Sequence, residues 1–192
     1  MRCSGMRTCF HSMFFLCAPE FAVMSNLRCG HTNMFNYFGE NNIYLAGMPL
    51  FSSHHNPIVV LRNPLDRVVS SMPFLDSFDS KTESQLDAFV RHSRPYLHEI
   101  ISIDFRIIDF YDLEQYIPRD GEQSVRTDSR CFPSVTAEDV YVENSVYTLE
   151  ELEREVEIYN NFMANKERVS VDEWKELTNR VTPEERDEEM FP

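Results

Sequence analysis

The segment PIVVLRNP, residues 57–64, constrains the fold of this chain more than any other. Ile58 to Leu61 are apolar without interruption, so a strand here has no face left for water. Such a strand belongs inside a parallel sheet whose two faces are both covered by helices. The run ends in Arg62, and Pro64 falls where a helix begins, its fixed φ suited to a first turn. A charge at the end of a buried strand, with the helix LDRVVSSM returning beside it, suits an anion.

The rest of the chain alternates in the same way. EFAVMS (Glu20–Ser25) reads as a short strand, followed by the loop NLRCGHTN and a helix marked by Met34, Phe35 and Phe38 and stopped at Gly39. NIYLAG is a second strand, PIVVLRN a third, and FRIIDF (Phe105–Phe110) a fourth that runs into the helical YDLEQYI. Ser80 and Glu83 form a capping box for a helix over about Lys81–Arg94, with Leu86, Phe89 and Val90 as its apolar stripe. Pro118, Gly121 and Pro133 mark residues 118–147 as a long loop. Three further capping boxes, Thr148/Glu151, Ser170/Glu173 and Thr182/Glu185, start C-terminal helices. The first of these carries Leu149, Leu152, Val156, Tyr159 and Met163 on one face. Strands alternating with helices predict right-handed βαβ units, hence an α/β domain with a parallel sheet flanked by helices. Ligands of such sheets bind at the carboxyl ends of the strands.

At 192 residues, without a repeat or an evident linker, the chain reads as one domain. Residues 1–117 form the α/β core, 118–147 the loop and 148–192 a helical acidic part. The formal charge of −14 is uneven. Residues 138–192 hold 17 acidic against 6 basic side chains, a balance of −11, whereas residues 1–75 hold 5 Lys/Arg against 3 Asp/Glu. Most of the surface would repel a nucleic acid, while a few placed arginines could still hold a small anion. No apolar run approaches the roughly 20 residues needed to span a membrane. The start of the chain imitates a signal peptide, but Pro19 and Glu20 interrupt it and no small-x-small site follows, so it is read as mature chain. The five cysteines, Cys3, Cys9, Cys17, Cys29 and Cys131, include no CxxC pair and match no zinc spacing, so no metal is expected. They are read as reduced thiols, with a disulfide inside the N-terminal cluster as the alternative.

Two loops meet the condition for an anion site. In Asn26–Asn33, Gly30 lets backbone approach an anion, a helix N-terminus follows, and Arg28 and Thr32 add a charge and a donor. A second glycine and a Lys-Ser/Thr pair are lacking, so this is no Walker A loop and an ATP-using kinase is disfavoured. In the second loop Ser70 lies eight residues after Arg62, about two turns into the helix, where the two side chains can converge on one phosphate. Arg67 is assigned to structural pairing.

Together these loops resemble the two signatures of the sulfotransferase family, whose donor is 3′-phosphoadenosine 5′-phosphosulfate. The first, strand then Pro-Lys-x-Gly-x-Thr then helix, is similar to Leu27-Arg28-Cys29-Gly30-His31-Thr32. The second, Arg-Asp/Asn-Pro through a later Ser, is similar to Arg62-Asn63-Pro64 through Ser70, and Arg67 within it resembles the Golgi, carbohydrate-type branch. IIDFYDLEQYI resembles a later strand and turn of the family, so the resemblance spans roughly residues 20–117. It implies a three-layer, P-loop-NTPase-like parallel sheet. It also implies that Arg28, Cys29, Gly30, His31, Thr32 and Asn33 cradle the 5′-phosphosulfate, and that Arg62 and Ser70 hold the 3′-phosphate. Arg28 replaces the family's lysine, Leu27 its proline, and Gly47 stands where many members place a histidine base.

The base is therefore open among His31 inside the loop, Glu40, and Asp76 or Asp79. His54 and His55 precede the PIVVL strand, at the end away from the site. The function expected is sulfuryl transfer to a hydroxyl or amine of a small-molecule, carbohydrate or peptide acceptor, with Arg28 and His31 in catalysis. The alternatives are an impaired relative that only binds nucleotide or a partner, and a P-loop nucleotide kinase. Arg126 and Arg130 in the long loop are candidates for acceptor recognition. The chain is expected in the cytoplasm, with the Golgi lumen or secretion as the other settings.

Overall fold

The computed structural model describes residues 13–30, 48–77, 84–117, 134–143 and 146–179, with Thr32, Met34, Tyr37, Tyr44 and Leu45. Its strands are β1 (Met13–Cys17), β2 (Ala22–Asn26), β3 (Tyr44–Leu45), β4 (Pro57–Leu61) and β5 (Arg106–Asp109). Its helices are α1 (Met48–Ser53), α2 (Pro64–Ser71), α3 (Pro73–Ser77), α4 (Gln85–Ser93), α5 (Leu113–Tyr116), α6 (Ala137–Val140), α7 (Leu149–Asn165) and α8 (Val171–Asn179). The sheet has five strands in the order β3-β1-β2-β4-β5.

The α/β class expected from the sequence is present, but the sheet is mixed rather than wholly parallel. β2, β4 and β5 are parallel neighbours, whereas β1 pairs antiparallel with both β2 and β3. The apolar segment that imitates a signal peptide is thus strand β1. It turns back at Ala18–Phe21, where the Ala18 N–H donates to the Phe21 carbonyl at 2.9 Å across Pro19 and Glu20. A Pro following the first residue of such a turn is the local signal for this hairpin. Of NIYLAG, Tyr44 and Leu45 lie among the described residues and form β3, at the sheet edge beyond β1.

β4 is buried at all five positions, as its unbroken apolar run requires. Alternate residues serve opposite faces: Val59, Leu61, Met24 and Ile107 share one core with Phe51 of α1 and Ile158, Tyr159 and Phe162 of α7. Ile58, Val60, Val23 and Ile108 share the other with Met34, Leu113 of α5, and Trp174 and Leu177 of α8. Each fully buried side chain of this size contributes roughly 1.5–3 kcal/mol relative to exposure. Helices therefore lie on both faces, giving three layers. A third cluster, including Leu65, Val68, Phe89, Val140, Tyr147 and Leu152, binds α2, α4, α6 and α7 to one another.

Several local expectations shift by a few residues. α4 is capped by Ser84, whose side chain accepts the Asp87 N–H at 3.1 Å, in place of the expected Ser80/Glu83 box, which lies outside the described residues. The stretch read as a long loop contains α6, closed by a full capping box of Thr136 and Asp139. The Thr148/Glu151 box forms as expected. Ser170 accepts the Glu173 N–H, but the Glu173 carboxylate turns to Arg106 instead of completing the box. Thr182/Glu185 lies outside the described residues. The outer edge of β5 is covered by residues 167–169, with Ile107 donating to the Glu167 carbonyl and accepting from the Val169 N–H. Among the described residues no helix is long and apolar enough to cross a membrane.

His54 joins the end of α1 to the β1–β2 turn: Nε2 donates to the Ala18 carbonyl at 3.0 Å while Nδ1 accepts the Asn56 N–H at 3.0 Å. Both roles need the neutral ring, and partial burial, the largest influence, holds its pKa below the usual 6.5. A folded pKa below the unfolded one gives stability that is complete above the unfolded value and is lost as pH falls through the folded one. The melting temperature should fall between about pH 7.5 and about pH 5, and less steeply in His54→Gln. Parallel slopes from scanning calorimetry would refute this.

Candidate anion site

Because β2, β4 and β5 run parallel, the loops after Asn26, Leu61 and Asp109 leave the same end of the sheet. The first is a tight turn built from its own polar groups. Asn26 is fully buried; its Oδ1 accepts the Leu27 N–H at 2.6 Å and its carbonyl accepts the Cys29 N–H at 2.9 Å. The Ser25 hydroxyl donates to the Cys29 carbonyl at 3.0 Å, and the Met34 N–H donates to the Gly30 carbonyl at 3.0 Å as the next helix begins. Arg28 and Gly30 are both left-handed, with φ of 64° and 80°. Gly30 has two reasons to be glycine: its positive φ, and Leu113 Cδ2, which a Cβ would overlap. Arg28 has no such licence, and its conformation costs about 1–3 kcal/mol.

The second loop is fastened to the first. Arg62 Nη1 donates to the Arg28 carbonyl at 2.7 Å, and its guanidinium lies 4.5 Å above the Phe110 ring. Arg62 is only 4% exposed. Asn63 caps α2 by accepting the Leu65 N–H at 2.9 Å, and Pro64 takes the first turn as the sequence predicts. The half-buried Arg28 places its own guanidinium 4.5 Å over Phe74 of α3.

Arg67 lies deeper, at 1% exposure. Its Nη2 donates to the Ser93 and Arg94 carbonyls that end α4, and stands 3.7 Å from Glu155 Oε1 of α7. Its guanidinium stacks 4.5 Å over Tyr96. The Glu155 carboxylate accepts the Tyr96 N–H at 2.8 Å and the Leu97 N–H at 2.9 Å. Burial pushes the Glu155 carboxyl up, against the pull of Arg67 and the two N–H donors. The Tyr96 hydroxyl reaches Cys29 Sγ at 3.9 Å. Burial likewise raises the Cys29 thiol, against the opposing influence of Arg67 and then Arg62.

Of the expected site residues, Arg28, Cys29 and Gly30 form the turn, and Thr32 is exposed and helical. His31 and Asn33 lie outside the described residues, as do Glu40, Gly47, Asp79, Arg126, Arg130 and the Asp76 side chain. The contacts join Arg62 to Arg28, and Ser70 to Arg67, whose carbonyl accepts the Ser70 hydroxyl at 2.8 Å. Arg67 is a structural cation, with Glu155 of the distant helix α7 as a counterion. Sequence reasoning missed Glu155, Tyr96 and Phe110. A signal for Glu155 exists: a carboxylate three residues after Leu152 and three before Ile158 falls on the apolar face of α7.

A groove of about 610 Å³ opens at the other end of the sheet, between His55–Pro57, Asp104–Arg106 and the end of α7. Of the charged side chains that line it, Lys166 pairs with Asp104, Arg106 pairs with Glu173 outside the lining, and Glu167 adds a further acid. The strand-end chemistry points instead to the turn at residues 27–30 as the candidate site. Among the described residues no group of three or more His, Cys, Asp or Glu side chains could hold a metal ion. A scan against protein-family models, a search of curated proteins and a search of solved structures each return no match.

Two stability predictions follow from the packing of this region. Gly30→Ala combines strain at positive φ with a clash on Leu113, and should lower the unfolding free energy by at least about 1–3 kcal/mol in urea titrations. Glu155→Leu alone strands Arg67 and should cost about 3–5 kcal/mol, whereas Arg67→Met with Glu155→Leu should cost far less. A double variant no more stable than the single one would show that the two side chains do not act as a pair.

Proposed function

We propose that the parallel half of the sheet, β2-β4-β5, is the nucleotide-binding half of a P-loop-like fold. In this reading the chain is a sulfotransferase using 3′-phosphoadenosine 5′-phosphosulfate. The observation that carries the reading is the 2.7 Å hydrogen bond from Arg62 to the Arg28 carbonyl, which unites the two signatures at one strand end. Separately each loop has an ordinary structural explanation; joined, they bring two cations and a helix start to one place.

In this reading an acceptor hydroxyl or amine attacks sulfur, the bond from sulfur to the 5′-phosphate oxygen breaks, and the acceptor's proton leaves to a base. Arg28 and the loop N–H groups stabilise charge on the sulfonate and the departing phosphate. Arg62 and Ser70 hold the 3′-phosphate away from the chemistry, supplying binding energy and orientation. Since Arg62 is 4% exposed and already occupied by the Arg28 carbonyl, phosphate binding exchanges that carbonyl for a phosphate oxygen. The same burial favours a second reading, a protein that binds the nucleotide without transferring sulfate.

Calorimetric titration with 3′,5′-bisphosphoadenosine and with ATP tests binding. The bisphosphate should bind more tightly than ATP, and Arg62→Ala, checked for folding by circular dichroism, should weaken it by about tenfold or more. No detectable bisphosphate binding, or affinity unchanged in Arg62→Ala, would sink both readings. Transfer of labelled sulfate to sugars, tyrosine peptides or small alcohols then separates the enzyme from the binder.

A further inference from the structure

We infer that Tyr96 is a positioning residue for the anion-binding turn, acting through its contact with Cys29 and itself held by Arg67 and Glu155. The inference rests on the proposed reading of residues 27–30 as that turn. Cys29 is the turn's central fastening: its N–H goes to the Asn26 carbonyl and its own carbonyl receives the Ser25 hydroxyl. It adjoins Arg28, whose strained backbone carbonyl is the group that Arg62 grips. Whatever fixes the Cys29 side chain therefore fixes where Arg28 presents its charge.

Tyr96 is suited to that task. Its hydroxyl is 3.9 Å from Cys29 Sγ, with Tyr96 at 3% and Cys29 at 0% exposure. Burial raises both pKa values, so both groups keep their hydrogen at neutral pH and either can donate. The ring is held by the Arg67 guanidinium, and the Tyr96 N–H by Glu155 Oε1. Arg67 meanwhile leaves its Nε and Nη1 without a hydrogen-bond partner among the described residues. A buried ion pair so incompletely satisfied adds little to stability that apolar side chains would not supply. A part in shaping the site accounts for its presence where stability does not. It also gives the acidic helix α7, far along the chain, a connection to the turn.

Tyr96→Phe keeps the ring and its stack on Arg67 and removes only the hydroxyl. In the full chain its melting temperature should stay close to that of the wild type. Its affinity for 3′,5′-bisphosphoadenosine should fall about threefold to tenfold, the range expected for one lost hydrogen bond. Alkylation of Cys29 by iodoacetamide, mapped by mass spectrometry in the native protein, should speed up several-fold while that of Cys17 does not change. The double variant Arg67→Met/Glu155→Leu should show the same two effects. Support requires both a weaker affinity and a faster Cys29 reaction in Tyr96→Phe. If the wild type binds the bisphosphate and either quantity is unchanged, the inference fails while the proposed function stands. If the wild type does not bind it, the proposed function fails and takes the inference with it.

Discussion

The parallel pairing of β2 with β4, in the register Ala22↔Pro57, Val23↔Ile58 and Met24↔Val59, underlies most of what this structure can do. It aligns two strand ends so that the turn after one and the helix after the other start side by side. The Arg62 hydrogen bond to the Arg28 carbonyl, the packing of Gly30 on Leu113 and the contact between Tyr96 and Cys29 are all available only in that alignment. Slipping the register by one residue would turn Val59 and Ile58 to opposite cores, so the two-faced burial of β4 protects the geometry of the site.

Keeping three guanidiniums at one end of a small domain raises a solvation problem, which aromatic rings help to solve. Arg28 lies over Phe74, Arg62 over Phe110 and Arg67 over Tyr96, each at 4.5 Å. A stacked guanidinium exchanges weak hydration for ring contact and loses little freedom, which suits arginine better than lysine. Arg67, the most deeply buried of them, also faces the Glu155 carboxylate.

The two ends of the sheet differ in how charge is arranged. At the amino ends of β4 and β5, the ion pairs Lys166–Asp104 and Arg106–Glu173 stand beside a sizeable groove. At the carboxyl ends, Arg62 and Arg28 meet through a backbone carbonyl. The acidic C-terminal helices contribute a carboxylate inward, Glu155, as well as the charge they show to solvent.

The sequence by itself determined the α/β class, the core strand β4, the helix start at Pro64 and the capping box of α7. Each of these rests on neighbours within a few residues: an unbroken apolar run, a fixed φ, a hydroxyl three residues before a carboxylate. It also marked Arg28 and Arg62 as belonging to strand-end loops, though not that they touch. Only the tertiary structure decided that Met13–Cys17 is a strand, that Tyr44–Leu45 lies at the far edge, and that Arg67 answers to Glu155. Those outcomes depend on partners far apart in the chain, Leu16 with Leu45 and Arg67 with Glu155. Local periodicity carries no record of such distances; the packing of helices on both sheet faces selects them, because only one arrangement buries the apolar rows and still satisfies the charges between them.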